Sequence, residues 1–226
     1  MPTGELRRSV PFRPDASSYD PGVQMPRTRA QKRRVDFIES AVRVIAEHGV
    51  DGATTRRIAA EANAPLATLH YYYASKEELF YDIYEHMIRT LGETAWSVRP
   101  KAGLGRTAAT LLRQMMDWYK SESGYSQTQL ELFFWVYRQD PATARKTYDL
   151  AFTMLSARMR EGMRPDDDEN LIEPLVHAIS ATVDGMVTQS VAYGEIPGFV
   201  ATTIDAVAES MELLANSHRL DSPAPA

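Results

Sequence analysis

Residues 54–79 read TTRRIAAEANAPLATLHYYYASKEEL, and this stretch decides the fold. Thr54 stands where a helix needs an N-cap hydroxyl, and Ile58, Ala59 and Ala62 follow at helical spacing. Asn63 tolerates a left-handed backbone better than most residues. Pro65 opens a second short helix over 66–72, where its missing N–H costs nothing. Ser75 and Glu78 then form the S-x-x-E capping box of a third, longer helix. Two short helices around a tight turn, with small residues where they cross, make a helix-turn-helix.

The pattern continues on both sides. Upstream, Val35, Ile38, Val42 and Ile45 step by three and four, with Phe37, Ala41 and Val44 widening the apolar face. They predict a supporting helix over 30–48. Gly49 is placed as its left-handed C′ residue and Val50 as the apolar C″ residue of a Schellman ending. Downstream, Phe80, Ile83, Tyr84, Met87 and Leu91 stripe a helix that reaches toward Trp96 and joins head to body, a natural lever between them. Five further helical stretches follow, near 104–122, 127–138, 141–162, 169–192 and 197–216, with almost no strand-like alternation. The expected fold is all-α with about nine helices: a three-helix head and a helical body for ligand binding and dimerisation. Expected boundaries are a disordered arm at 1–25, a DNA-binding head at 26–76, an effector-binding and dimerisation body at 77–217, and a disordered tail at 218–226. The Pro, Ser, Asp and Gly content of the arm gives it little to bury.

Two stripes stand out in the last long helices. Ile172, Val176, Ile179, Val183 and Met186 form one, and Val200, Ile204, Val207, Met211 and Leu214 the other. Such stripes suit either burial within one chain or half of a four-helix bundle between two copies. The expectation is a dimer interface, with Ala178, Ala181, Gly185 and Ala206 among the small residues permitting close approach.

Composition narrows the class. The net charge of −5 argues against nucleic acid, but its distribution does not. Residues 1–76 carry an excess of four positive charges, densest at Arg27, Arg29, Lys32, Arg33 and Arg34, and the remainder carries an excess of nine negative ones. A basic head on an acidic body concentrates attraction for phosphate at one end. The chain has no cysteine, hence no disulfide or thiolate metal site. It has no apolar run long enough to span a membrane and no secretory signal at its start, so a cytoplasmic protein is expected. There is no H-E-x-x-H, G-x-S-x-G or phosphate-binding glycine loop, so neither an enzyme nor a cofactor is expected.

A short second helix with polar and aromatic residues fits the major groove of DNA, while the first helix of the pair crosses the backbone. Arg29 and Lys32, with Thr54, Thr55 and Arg56, are placed for phosphate. Leu66 and Thr68 are placed for base edges or thymine methyls, and His70, Tyr71 and Tyr72 for phosphate or base. Lys76 adds charge at a helix N-terminus. Leu69 and Tyr73 are expected in the core.

The segment 30–80 resembles the DNA-binding head of the TetR family of bacterial transcriptional regulators. Thr54, Thr55, Ile58, Ala59, Ala62, Thr68, Leu69, Ser75, Lys76, Glu77, Glu78 and Leu79 match its pattern. Asn63, Pro65, Ala67, His70 and Tyr73 depart from it. His70 stands where the family has a phosphate-contacting tyrosine. The resemblance implies a homodimer reading a palindromic operator in double-stranded DNA, most often a repressor released by a small molecule. An activator or a sequence-indifferent architectural DNA binder remains the alternative.

Large soft side chains between 103 and 162 suit an adaptable apolar pocket between helices. Met115, Trp118, Tyr119, Phe133, Tyr137, Phe152 and Leu155 are candidate lining residues, with His177, Ser180 and Asp184 as polar contacts for an unidentified effector. His177 and Asp184 share a helix face, but no third ligand accompanies them, so no metal is expected.

Overall fold

The computed structural model describes residues 28–94, 96–121, 123–194 and 199–221. The expected arm at 1–25 lies outside the described residues, as does 222–226. Among the described residues the chain is all helical: α1 Arg29–Gly52, α2 Thr55–Glu61, α3 Leu66–Tyr72, α4 Lys76–Thr94, α5 Leu104–Ser121, α6 Ser123–Gln139, α7 Pro141–Gly162, α8 Ile172–Tyr193 and α9 Phe199–Asp221. A single 3-10 turn, Glu169–Leu171, leads into α8. The last helix runs to Asp221, into the stretch expected to be a disordered tail. No helix among the described residues is long and apolar enough to cross a membrane.

Local chemistry sets the ends. Thr28 and Gln31 close a reciprocal capping box on α1, at 3.2 and 2.8 Å. Thr54 accepts from the Arg57 N–H at 3.2 Å, capping α2. Asn63 takes φ 47° in the turn, as its side chain allows. Ser75 accepts from the Glu78 N–H at 3.1 Å, while Glu78 reaches back to the Ala74 N–H at 2.9 Å, one residue beyond the box. The end of α1 departs from expectation. Gly49 does take a positive φ of 69°, but with ψ 168°, so no Schellman closure forms and the chain makes one more turn. The Val50 N–H goes instead to the Glu131 carboxylate of α6, at 2.7 Å.

Two apolar clusters organise the molecule. The first joins α1 to α4 through Phe37, Ile45, Ile58, Leu69, Tyr73, Phe80 and Ile83, and extends into α6 through Leu132, Trp135 and Val136 and into α7 through Ala144. The second joins the end of α4 to α5, α7, α8 and α9. Helix α4 contributes to both clusters, and the head's cluster crosses residue 76 into α4, α6 and α7.

The stripes expected at a dimer interface turn out to be spent inside the chain. Ile172, Val176, Ile179, Val183, Met186, Ile204 and Met211 are all buried, and Val207 packs partly buried on the same cluster. Their partner is chiefly α5, which lies between α8 and α9; the latter two hardly touch. Gly105 makes the α5–α9 approach possible, since a Cβ there would fall 2.8 Å from the Glu212 Cα. Of the ten stripe residues, Leu214 is exposed, at 47%, and the Val200 side chain lies outside the description. An apolar stripe of this period buries against whichever helix is nearest, and here that helix belongs to the same chain.

Candidate nucleic-acid interface and body cavity

The head displays its helices as a groove reader requires. Leu69 is 1% exposed and pins α3 to the core, so Ala67, His70 and Tyr71 face outward. The three consecutive tyrosines take three different positions. Tyr71 is 83% exposed, Tyr72 is half-buried with its ring 5.9 Å from Phe37, and Tyr73 is 1% exposed. The Tyr73 hydroxyl donates to Asp82 of α4 at 3.1 Å, and Asp82 also takes two hydrogen bonds from Arg34 of α1, at 3.1 and 2.5 Å. The Arg34 guanidinium lies 4.8 Å from the Tyr73 ring. The hydrogen bond to Asp82 raises the Arg34 pKa, and burial raises that of Tyr73 well above an ordinary phenol. Arg34 is therefore a strut of the head and is not free for phosphate.

Several charges remain outward. Arg29, Lys32 and Arg56 are exposed, and Thr55 is half-buried at the start of α2. Arg29, Lys32, Arg33, Thr68 and Tyr72 line one cleft between the start of α1 and α3, with Ala30 and Asp36. Arg43 and Glu61 tie α1 to α2 at 2.7 Å. Lys76 behaves otherwise than expected. Its ammonium donates to the Val50 carbonyl at 2.9 Å and lies 4.9 Å from the Phe80 ring centre. Burial pulls its pKa below the usual lysine value. Its side chain fastens the end of α1 instead of pointing toward a phosphate. Leu66, expected at base edges, packs partly buried on the head cluster.

The body contains a cavity of about 160 Å³, walled by α4, α5, α6, α7 and α8. Met87, Leu91, Trp96, Met115, Leu130, Phe133 and Val183 form much of its apolar wall. One end is polar. Asp184 of α8 accepts from the Tyr148 hydroxyl at 2.7 Å and from the Gln129 amide at 3.3 Å. The Gln129 side-chain oxygen accepts from Tyr119, and its backbone carbonyl accepts from Tyr84 at 2.8 Å. Burial raises the pKa of Asp184 above the usual carboxylate value and raises those of Tyr84, Tyr119 and Tyr148 above an ordinary phenol. Among the described residues no group of His, Cys, Asp and Glu is arranged to hold a metal.

Residues 37–83, most of the head, match the profile described as bacterial regulatory proteins, tetR family. This segment therefore carries the DNA-binding head of that family. The chain is similar to the HTH-type transcriptional regulator BetI of Brucella anthropi, at 24% identity over 158 residues, covering 68% of this chain and 79% of that protein. It is also similar to the HTH-type nicotine-responsive transcriptional repressor HdnoR of Paenarthrobacter nicotinovorans, at 47% identity over 47 residues, which is 21% of this chain and 24% of that one. A crystal structure of a transcriptional regulator from Rhodococcus sp. Rha1 superposes with a TM-score of 0.66 at 19% identity, over 81% of this chain and 97% of that one. The matched segment is the DNA-binding domain of a transcription regulator, and the all-helical fold around it is shared with the solved structure.

Sequence reasoning reached part of this cavity. Met115, Tyr119, Phe133, Ser180 and Asp184 do line the cavity. Trp118 packs beside it against Tyr125, Leu155 is fully buried in the core, and Tyr137 is 54% exposed. His177 lies exposed with its ring 4.4 Å from that of Phe152. Trp118, Tyr137, Phe152, Leu155 and His177 are therefore not lining residues. The missed ones include Tyr84, Met87, Trp96, Gln129 and Tyr148. Tyr84 and Met87 had been assigned to a core stripe, and one helix's stripe does not tell a cavity from a filled core.

Proposed function

We propose that this TetR-family protein works as a cytoplasmic homodimer. It binds a palindromic operator with two heads and represses transcription until a small, largely apolar molecule enters the body cavity. The observation that carries this is the route from cavity to head. Gln129 on the cavity wall and Glu131, which holds the Val50 N–H at the end of α1, stand two residues apart on α6. Tyr84 of the lever helix α4 is hydrogen-bonded to the Gln129 carbonyl. A ligand that prefers a different arrangement of α6 and α4 therefore acts on both supports of the head, and only such a preference shifts the equilibrium.

The outer faces of α8 and α9 supply the dimer surface. Ala178, Ala181 and Gly185 face outward on α8, and Ala206, Ser210 and Leu213 on α9. Leu213 and Tyr193 are 71% and 79% exposed, and a Cβ at Gly185 would meet nothing within 4 Å. Small residues on an outward face let a second helix pair approach closely. Two heads held by such a dimer would address half-sites about one helical turn apart. The match to a protein named as a nicotine-responsive repressor is in keeping with this.

Selection of bound duplexes from a random library at near-physiological salt tests the proposal. The expected winners are palindromes with half-sites about one turn apart. Failure to enrich any sequence, with the protein folded, would point to an architectural binder and overturn it. An operator recovered this way then allows repression and activation to be told apart with a reporter.

A further inference from the structure

Asp184 faces the cavity from the middle of α8, with Ser180 and Thr188 one turn away on the same wall. Among the described residues, its carboxylate receives two hydrogen bonds, from Tyr148 and Gln129, and both come from neutral donors. Among the described residues that line the cavity there is no lysine, arginine or histidine. A carboxylate offers about four lone-pair positions, so two neutral donors leave room for more. A buried carboxylate with no cation beside it keeps a large desolvation cost. Burial accordingly raises the pKa of Asp184, and the raised phenol values keep Tyr84, Tyr119 and Tyr148 as neutral groups.

The rest of the wall has matching chemistry. Aromatic rings come from five segments: Tyr84 on α4, Trp96 after it, Tyr119 on α5, Phe133 on α6 and Tyr148 on α7. Ring faces attract cations, most strongly where water is excluded. A neutral hydrocarbon would leave the carboxylate cost in place, and an anion would add to it. The volume of about 160 Å³ sets the size; a cavity of roughly 150 Å³ holds a benzene-sized molecule.

We propose that the cavity takes a small organic monocation, an alkylammonium group on a compact apolar body, with Asp184 as its counter-ion and the surrounding tyrosine rings about the charge. This rests on the cavity being the effector site. It also gives the ligand a route of action. A cation on Asp184 competes with the Gln129 amide for the carboxylate, and Gln129 is the α6 residue that α4 grips through Tyr84.

The test uses the full chain and three isosteric probes: benzylammonium, benzyl alcohol and benzoate. Their binding is followed by calorimetry near neutral pH, with operator release measured in parallel. Benzylammonium should bind saturably and at least about tenfold more tightly than benzyl alcohol, with benzoate weakest, and Asp184→Asn should erase the preference. Equal binding of cation and alcohol, preference for benzoate, or binding of none of the three overturns the assignment. The wild-type comparison decides even if the variant fails to fold. If benzylammonium binds selectively while the operator stays bound, the cation site stands and ligand-driven release fails. If neutral compounds release the operator and benzylammonium does not bind, release stands and the cation site fails.

Discussion

Head and body are built from the same kind of helix, yet they bury different things. In the head, Phe37, Ile58, Leu69, Tyr73 and Phe80 close on one another, and the half-buried carboxylate at their edge is answered: Asp82 faces Arg34 and the Tyr73 hydroxyl. In the body, Asp184 faces only neutral donors across an open cavity, and the Trp96 indole N–H finds no hydrogen-bond partner among the described residues. A filled, satisfied core holds one geometry. A core with space and an unanswered charge leaves room for a ligand to change it. The contrast separates a head packed to one geometry from a body that keeps a cavity, the place where the proposed effector would act.

The largest expected effect breaks the filled side of that comparison. Phe37 is fully buried and touches both Tyr72 and Tyr73. Phe37→Ala should cost about 3–5 kcal/mol, since it removes a large ring from a site unable to collapse around it. Urea denaturation would measure the loss. A cost under about 1 kcal/mol would mean the head is less tightly packed than its geometry says.

The same contrast explains what the sequence could convey. The head was legible because its signals are local: an N-cap at Thr54, a turn residue at Asn63, a cap at Ser75, each fixed by chemistry within four residues. Even the shared burial of Leu69 and Tyr73, four residues apart, follows from helical spacing. Lys76 was misjudged because its partner, the Val50 carbonyl, is twenty-six residues away. The body cavity was half legible for a related reason. Its walls come from five helices, and which face of each helix meets empty space is decided by packing between segments distant in sequence. The stripes on α8 and α9 carried the right period but could not say that α5 would cover them.

A smaller effect sharpens the body's side. The folded pKa of Asp184 is raised above its unfolded value, with burial as the cause. Between the ordinary carboxylate range and that raised value the native state binds more protons than the unfolded state, so this residue removes stability as pH rises. The groups facing it are Tyr148 of α7, Tyr119 of α5 and Tyr84 of α4, which stay neutral, and the uncharged Gln129 of α6. Asp184→Asn should therefore gain stability relative to wild type as pH is raised from about 4 toward neutrality. Paired denaturation curves across that range would check it. A difference that is flat, or that runs the other way, would mean that the protein stabilises the charged carboxylate by itself.

The smallest effect on stability should come from an exposed side chain of α3, the helix proposed to read DNA. Tyr71 is 83% exposed, and its close ring neighbour is Tyr72, at 5.3 Å. Tyr71→Ala should change stability by no more than about 0.5 kcal/mol, as surface substitutions generally do. Operator affinity should nevertheless fall by about 1–3 kcal/mol if the side chain meets a base edge. The two possible targets separate in the data. A base contact would relax sequence preference at one position of the half-site, whereas a phosphate contact would weaken all sequences alike and reduce the salt dependence. Tyr71 and Tyr73 are two residues apart, and the same truncation should damage folding at one and recognition at the other. If Tyr71→Ala instead unfolds the head while leaving the affinity of the remaining folded protein intact, the division between a supporting and a reading face of α3 is wrong.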